Sequence, residues 1–324
     1  MWALLYSGTV ATMQFGTLDQ FDELVAKGGM KPGELTPVQI AELSEFIVRD
    51  PSLPQITAQD PRSDHYRNQV LALHAAISGW REPYAAASNE LCPYLEPAAA
   101  AAQPHIYKQG DGPYLADFLA SFAAILRAMG VKAGHSVIEY GAGEGQLAIM
   151  LARMGCRVAA VDIEPKYLEA IALQCGALGV EITPHAGLFG SAPSGFERVD
   201  RIVFFESFHH AVDHEALIPR LRDRLDEDGA IVMAGEPILE DGNYWLPVIP
   251  YLWGPRLDGL SVFAMRSYGW CELGFREQYL LELFDRHGFT TTKTECPMTA
   301  RGNTYVFRKK PAKKRWFWGS RDRA

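Results

Sequence analysis

Val137-Ile-Glu-Tyr-Gly-Ala-Gly-Glu-Gly-Gln-Leu-Ala-Ile-Met-Leu151, continued to Asp162, is the stretch on which the reading of this chain turns. Residues 136–140 are apolar and β-prone, as a buried parallel strand requires. Gly141, Gly143 and Gly145 then form a turn whose backbone can take positive φ and lie close to a ligand. Leu147, Met150, Leu151 and Met154 follow at helical spacing, and Gly155 is placed to end that helix. Residues 157–162 form a second apolar strand that closes on a carboxylate. Strand, glycine turn, helix, strand and acid make a βαβ unit suited to a ribosyl ligand.

Spacing narrows the ligand. The dinucleotide fingerprint G-x-G-x-x-G would put its third glycine at position 146, which is Gln146. The chain instead reads Glu139-x-Gly141-x-Gly143-x-Gly145, with an acid ahead of the glycines. A carboxylate there repels a pyrophosphate and suits a cationic amino-acid group. The pattern resembles motif I of the class I S-adenosylmethionine-dependent methyltransferases. A nucleotide-binding unit is the alternative. The resemblance implies S-adenosylmethionine as cofactor, with Glu139, Gly141, Ala142, Gly143 and Gly145 around it. It also matches Asp162 to the acid on the ribose hydroxyls, followed by Ile163. The family often carries an acid for the adenine amine after its third strand. Here the chain reads Ala186-Gly187-Leu188, so Leu188 or Phe189 is expected to give apolar contact instead.

Bulk composition is that of an ordinary globular protein: 324 residues, 48% hydrophobic and 22% charged. No apolar run approaches the roughly 18 residues that span a bilayer. The apolar start, residues 1–10, lacks a basic region, so no secretory signal is expected. Five cysteines without CxxC spacing point to free thiols in a reducing, cytoplasmic setting, with Cys175 in the core. Residues 308–324 hold eight Lys/Arg and one Asp. With the whole chain at −8, the preceding 307 residues carry −15, a poor body for binding nucleic acid.

Residues 1–104 read as a helical N-terminal domain and linker. Thr17 with Gln20 and Thr36 with Gln39 form capping boxes, and Pro37 suits a first helical position. Ile40, Leu43 and Ile47 mark one buried face. A third helix over 64–78 turns Val70, Leu73, His74 and Ile77 inward, His74 as a packed histidine. Pro93, the alanine run and Pro104 suggest a hinge. The cofactor domain is expected over 105–310, beginning with Tyr107 and Tyr114 as lid candidates and a helix to Met129.

Beyond Asp162, the spacing predicts a helix from Pro165 with Leu168, Ile171, Ala172, Cys175 and Leu178 inward. It then predicts strands over 181–185, 200–205 and 230–236, with a helix over 214–228 that Pro219 delays by a turn. A helix over 274–287 and a hairpin over 289–308 follow. The whole resembles the Rossmann-like seven-stranded methyltransferase sheet with its antiparallel last strand. Residues 239–273 form an aromatic-rich insertion expected to act as a lid, and 311–324 a basic tail. Lys309, Lys310, Lys313, Lys314 and Arg315 before Trp316-Phe317-Trp318 suggest peripheral contact with anionic membrane. A homodimer is left open.

Methyl transfer to an alcohol needs an aligned acceptor and a base for its proton. Glu206, His209, His210 and Glu236 fall at the carboxyl ends of strands four and five, where open α/β sheets bind ligands. A neutral histidine there suits the base, oriented by one of the acids. Two histidines and two acids could also hold a divalent metal, but their spacing matches no metal signature, so no metal is the expectation. The reading is methyl transfer to a small-molecule acceptor, first a sugar or glycolipid-precursor hydroxyl, then an aromatic or polyketide-like metabolite. A non-catalytic adenosyl-binding scaffold is the alternative from another class.

Overall fold

The structure, a computed structural model, describes residues 13–80, 83–92, 95–108, 110–240 and 246–311. Its centre is a seven-stranded sheet: β1 (Ser136–Tyr140), β2 (Arg157–Asp162), β3 (Thr183–Ala186), β4 (Val199–Phe205), β5 (Leu225–Ala234), β6 (Phe289–Thr294) and β7 (Thr304–Lys309). Their spatial order is β6-β7-β5-β4-β1-β2-β3. β7 runs antiparallel to both β6 and β5, and the remaining neighbours pair in parallel. This is the methyltransferase sheet that the sequence resembles.

Alternation along the strands gives the sheet two apolar faces. Ile138, Tyr140, Ile202, Phe204 and Met233 face one way, against Leu217, Leu221 and Phe284 of the helices His214–Arg224 and Glu277–Arg286. Val137, Val203, Val232 and Val306 face the other way, against Phe118, Phe122 and Ile125 of the helix Gly112–Met129. The chain runs β1-β2-β3 toward one edge and then crosses back to place β4 on the other side of β1. A crevice therefore opens between the carboxyl ends of β1 and β4.

Outside the sheet several expectations shift. Both capping boxes form, and the helix Asp64–Ser78 buries Val70, Leu73, His74 and Ile77. Ile47, however, lies in a strand, Phe46–Val48, paired in parallel with Gln14–Gly16. The alanine run is a short helix, Pro97–Ala102, with Ala100 packed on Ala170 rather than an open hinge. In the helix Pro165–Leu178, Ala172 and Leu178 are exposed and Ala170 takes an inward place. Pro219 sits inside a helix that already starts at His214. That helix stops at Arg224, so β5 begins at Leu225, five residues earlier than predicted. Residues Leu273–Arg276, predicted to open a helix, form a strand paired with Trp253–Pro255 and Ile238–Leu239.

The insertion and the N-terminal segment share one core. Leu260, Phe263 and Met265, on the helix Gly259–Tyr268, pack with Phe21, Leu43, Phe46, Leu73 and Ile77. Trp253 is buried against Tyr66, which donates its O–H to the Trp253 carbonyl oxygen at 3.0 Å. Tyr244, Trp245, residues 1–12 and the basic tail from 312 onward lie outside the described residues. Among the described residues, no helix is long and apolar enough to cross a membrane, and all five cysteines are free.

Candidate active site

The glycine turn follows β1. Gly141, Gly143 and Gly145 all hold positive φ, at 67°, 51° and 73°. Two of them are required by close packing. A Cβ on Gly141 would stand 2.4 Å from Ser207 Cβ, and one on Gly145 would stand 2.5 Å from Ile171 Cγ1. Gly143 differs, because a Cβ there would meet no protein atom within 4 Å. It faces a cleft of about 840 Å³, counted with its open mouth. That is the cradle a ligand held by glycine backbone requires.

Asp162 closes the turn from the end of β2 and lines the same cleft. Its Oδ2 accepts from Gly143 N–H and its Oδ1 from Glu164 N–H, both at 2.9 Å. Burial pushes its carboxyl above the ordinary value, against those two donors. Each oxygen keeps a further lone pair for a ribose hydroxyl. Ile163, Tyr167, Leu188 and Phe189 make an apolar wall beside it. Leu188 and Phe189, the residues expected beside an adenine ring, both line the cleft.

Glu139 does not line the cleft. Its buried carboxylate points instead at the start of the helix Gln146–Arg153, where Ala148 N–H faces it. Oε2 has no partner, and burial pushes the carboxyl up to about 8. Glu139 braces the turn from beneath, and Ala142 and Gly145 are likewise part of that brace. The two lid candidates also stay outside the cleft lining. Tyr107 is exposed on the short helix His105–Lys108, and Tyr114 packs edge-on to Phe118.

Glu206 follows β4 with φ of 52°, the one positive value on a described residue other than glycine. This costs on the order of 1–3 kcal/mol and turns its carboxylate toward the rim of the cleft. There it pairs with Arg301, a fully buried guanidinium lying 4.2 Å over the Phe118 ring. Arg301 is fully buried and Glu206 only partly so, which makes the guanidinium depend on this carboxylate.

The two histidines divide. His209 is 3% exposed, and its Nδ1 lies 2.8 Å from Glu236 Oε2. Glu236 also accepts from the N–H groups of Ser207, Phe208 and His209, so it caps the tight turn that carries both histidines. Burial alone would raise the Glu236 carboxyl, but the His209 bond and these donors hold it below the usual range. Nε2 of His209 faces Glu272 Oε2 at 3.5 Å. His210 does line the cleft, and its acid is Glu90, with Nδ1 and Oε2 3.0 Å apart, not Glu206 or Glu236. Burial would lower this imidazole, yet Glu90, with Glu272 and Glu236 behind it, raises its pKa to about 9.

Glu90, Glu272 and Arg301 were not read from the sequence as site residues, whereas Trp270 belongs to the aromatic insertion expected to act as a lid. Glu90 is held by Tyr84 O–H and Cys271 N–H at 2.6 and 2.7 Å. Trp270 lines the cleft, stacks on Tyr268 and donates its indole N–H to Leu91 oxygen at 3.1 Å.

Residues 137–229 match a family model described as a methyltransferase domain. No curated protein matches the chain at a significant level. Among solved structures, the chain is similar to an S-adenosylmethionine-dependent methyltransferase from Aquifex aeolicus. They share 16% identity and a TM-score of 0.44, over 66% of this chain and 97% of that one. It is also similar to the 1,6-didemethyltoxoflavin-N1-methyltransferase of Burkholderia thailandensis, solved with its substrate and S-adenosylhomocysteine. There the identity is 20% and the TM-score 0.42, over 68% and 92% of the two chains. The magnesium protoporphyrin IX methyltransferase of Synechocystis, with bound S-adenosylhomocysteine, shares 18% identity with a TM-score of 0.43, over 62% and 85%. The family match lies on the very segment that builds the glycine turn and carries Asp162, so residues 137–229 are similar to a methyltransferase domain.

Proposed function

We propose that this enzyme transfers a methyl group to a hydroxyl of a hydroxylated small molecule, a sugar or glycolipid precursor, bound between Trp270, Glu90 and His210. The carrying observation is that one cleft has two unlike ends. Asp162, Gly143 and the wall of Ile163 and Leu188 make the adenosyl end. Glu90, His210 and the Trp270 ring make the other. S-adenosylmethionine supplies an electrophilic methyl for in-line displacement; the chain's own task is to hold the acceptor and exclude water. An aromatic or polyketide-like acceptor would want a broad apolar wall. The side chains that might have built one, Trp253 and Phe263, are committed to the core.

The base needs revision. His209 is enclosed, and His210 keeps its proton to about pH 9 in the ligand-free protein. At neutral pH His210 is therefore a donor to the acceptor oxygen, and neither histidine is a free proton acceptor. Glu236 sets the turn and Glu206 the rim, both as positioning residues.

The test is turnover with methyl-carbon-13 S-adenosylmethionine and fractionated small-molecule extract. The expected outcome is S-adenosylhomocysteine release with the label on oxygen, identified by its carbon-13 shift. No release with any fraction would favour the scaffold reading, and label on nitrogen would refute the hydroxyl assignment.

A further inference from the structure

His209, His210 and Glu272 each offer one ligand atom, and the three atoms lie within 4.8 Å of one another. The two imidazoles lie side by side, with ring centroids 4.4 Å apart and planes 38° apart. Each has its Nδ1 against a buried carboxylate, Glu236 for His209 and Glu90 for His210. Glu236 already accepts from three backbone N–H groups, so it can only accept from His209 as well. That sets the ring to present Nε2 on its far side, toward Glu272 Oε2 at 3.5 Å. Adjacent ligands around a tetrahedral ion with bonds of about 2.1 Å stand roughly 3.4 Å apart.

We propose that His209, His210 and Glu272 form a binding site for one divalent transition-metal ion. Two imidazoles and one carboxylate are the donor set of ions such as Zn²⁺, Fe²⁺ and Co²⁺ with open coordination positions. Glu236 and Glu90 are the outer carboxylates that fix the ring nitrogens, an arrangement typical of histidine ligands. Charge fits too. Glu90, Glu236, Glu272 and Asp258 put four carboxylates in one buried region, against the Arg256 guanidinium and His210. Arg256 is the competitor for the ion, with Nη1 3.5 Å from Glu272 Oε2 and Nη2 2.7 Å from Asp258 Oδ2. An ion would share Glu272 with Arg256 and displace a proton from the His210 ring. His210 is the member of the trio that lines the cleft, so an ion held here would border the acceptor end. A Lewis acid there lowers the pKa of an acceptor hydroxyl, the task that neither histidine can perform alone. That role rests on the hydroxyl-transfer reading; metal binding itself does not.

The experiment is Co²⁺ titration of the full chain after chelator treatment, read by visible absorption and calorimetry, with X-ray absorption on the Zn²⁺-loaded wild type. The expected result is one ion per chain, with two imidazole nitrogens and at least one oxygen in its coordination shell. Glu272→Gln and His209→Gln should weaken Co²⁺ binding at least tenfold, with folding checked by thermal melting. Should either variant fail to fold, the wild-type coordination shell decides alone. No stoichiometric ion, sulfur in the shell, or fewer than two imidazoles would overturn the proposal. S-adenosylhomocysteine affinity, measured on the same metal-free sample, separates loss of the metal site from failure of the methyltransferase reading.

Discussion

Replacing Gly143 by alanine puts the glycine cradle to a two-sided test. Gly143 holds φ of 51° with open space where a Cβ would project, and that space is the cleft. Gly179 holds φ of 64°, also with nothing within 4 Å, but it caps the helix Pro165–Leu178 and does not line the cleft. Alanine at either position forces a left-handed L-residue, at about 1–2 kcal/mol. The two variants should therefore lose similar stability, a few degrees in melting temperature for a chain of this size. Only Gly143→Ala adds a carbon where backbone and ligand approach closely. Its affinity for S-adenosylhomocysteine should fall at least tenfold, about 1.4 kcal/mol, while Gly179→Ala stays within twofold of wild type. Calorimetry and thermal melting on both variants give the comparison. A folded Gly143→Ala variant that binds within twofold of wild type would refute the reasoning, because the cradle would then not touch the ligand.

Glu139 stays protonated in the folded chain up to about 8, while an unfolded glutamate ionises near 4.5. Unfolding between those values releases a proton, so stability should fall as pH rises from 4.5 to 8, by an upper bound of about 5 kcal/mol. Glu139→Gln should flatten that slope in denaturant titrations at several pH values, and an unchanged slope would refute the assignment. Asp162→Ala should weaken S-adenosylhomocysteine by about 1.5–3 kcal/mol in calorimetry, through the lost ribose contact. Arg301→Met leaves the partly exposed Glu206 carboxylate without its partner at the rim, and chemical denaturation should show a loss of about 1–3 kcal/mol. Full-length protein should co-sediment with anionic vesicles more than a version ending at Pro311, each tail cation adding about 1 kcal/mol.

What the sequence made legible is what lies contiguous in the chain. The unit from Ser136 to Asp162 carries its strand, turn, helix and acid within one short window, so period and glycine placement sufficed. The capping boxes at Thr17 and Thr36 are equally local. Glu139 was misplaced because position before a glycine turn does not say which way a buried strand residue points; here it points beneath the helix. Asp226, Glu227, Asp228 and Gly229 looked like a charged helix end, yet Leu225 pairs with Val199 and Ala230 with Arg201, and the four residues between them form an irregularity in the β4 register. The acceptor end was out of reach for a different reason. Glu90 and the Trp270–Glu272 segment lie far apart in sequence, and only tertiary packing brings them to the turn after β4. Most aromatics of the insertion looked like a lid because composition does not separate a lid from a second core.

The central claim, that the cleft between β1, β2 and β4 holds an adenosyl cofactor, is tested most directly by calorimetry on the wild-type chain with S-adenosylhomocysteine and, separately, NAD. One site per chain for S-adenosylhomocysteine, with NAD at least a hundredfold weaker, is the predicted result. No heat of binding with S-adenosylhomocysteine, or tighter binding of NAD, would contradict it.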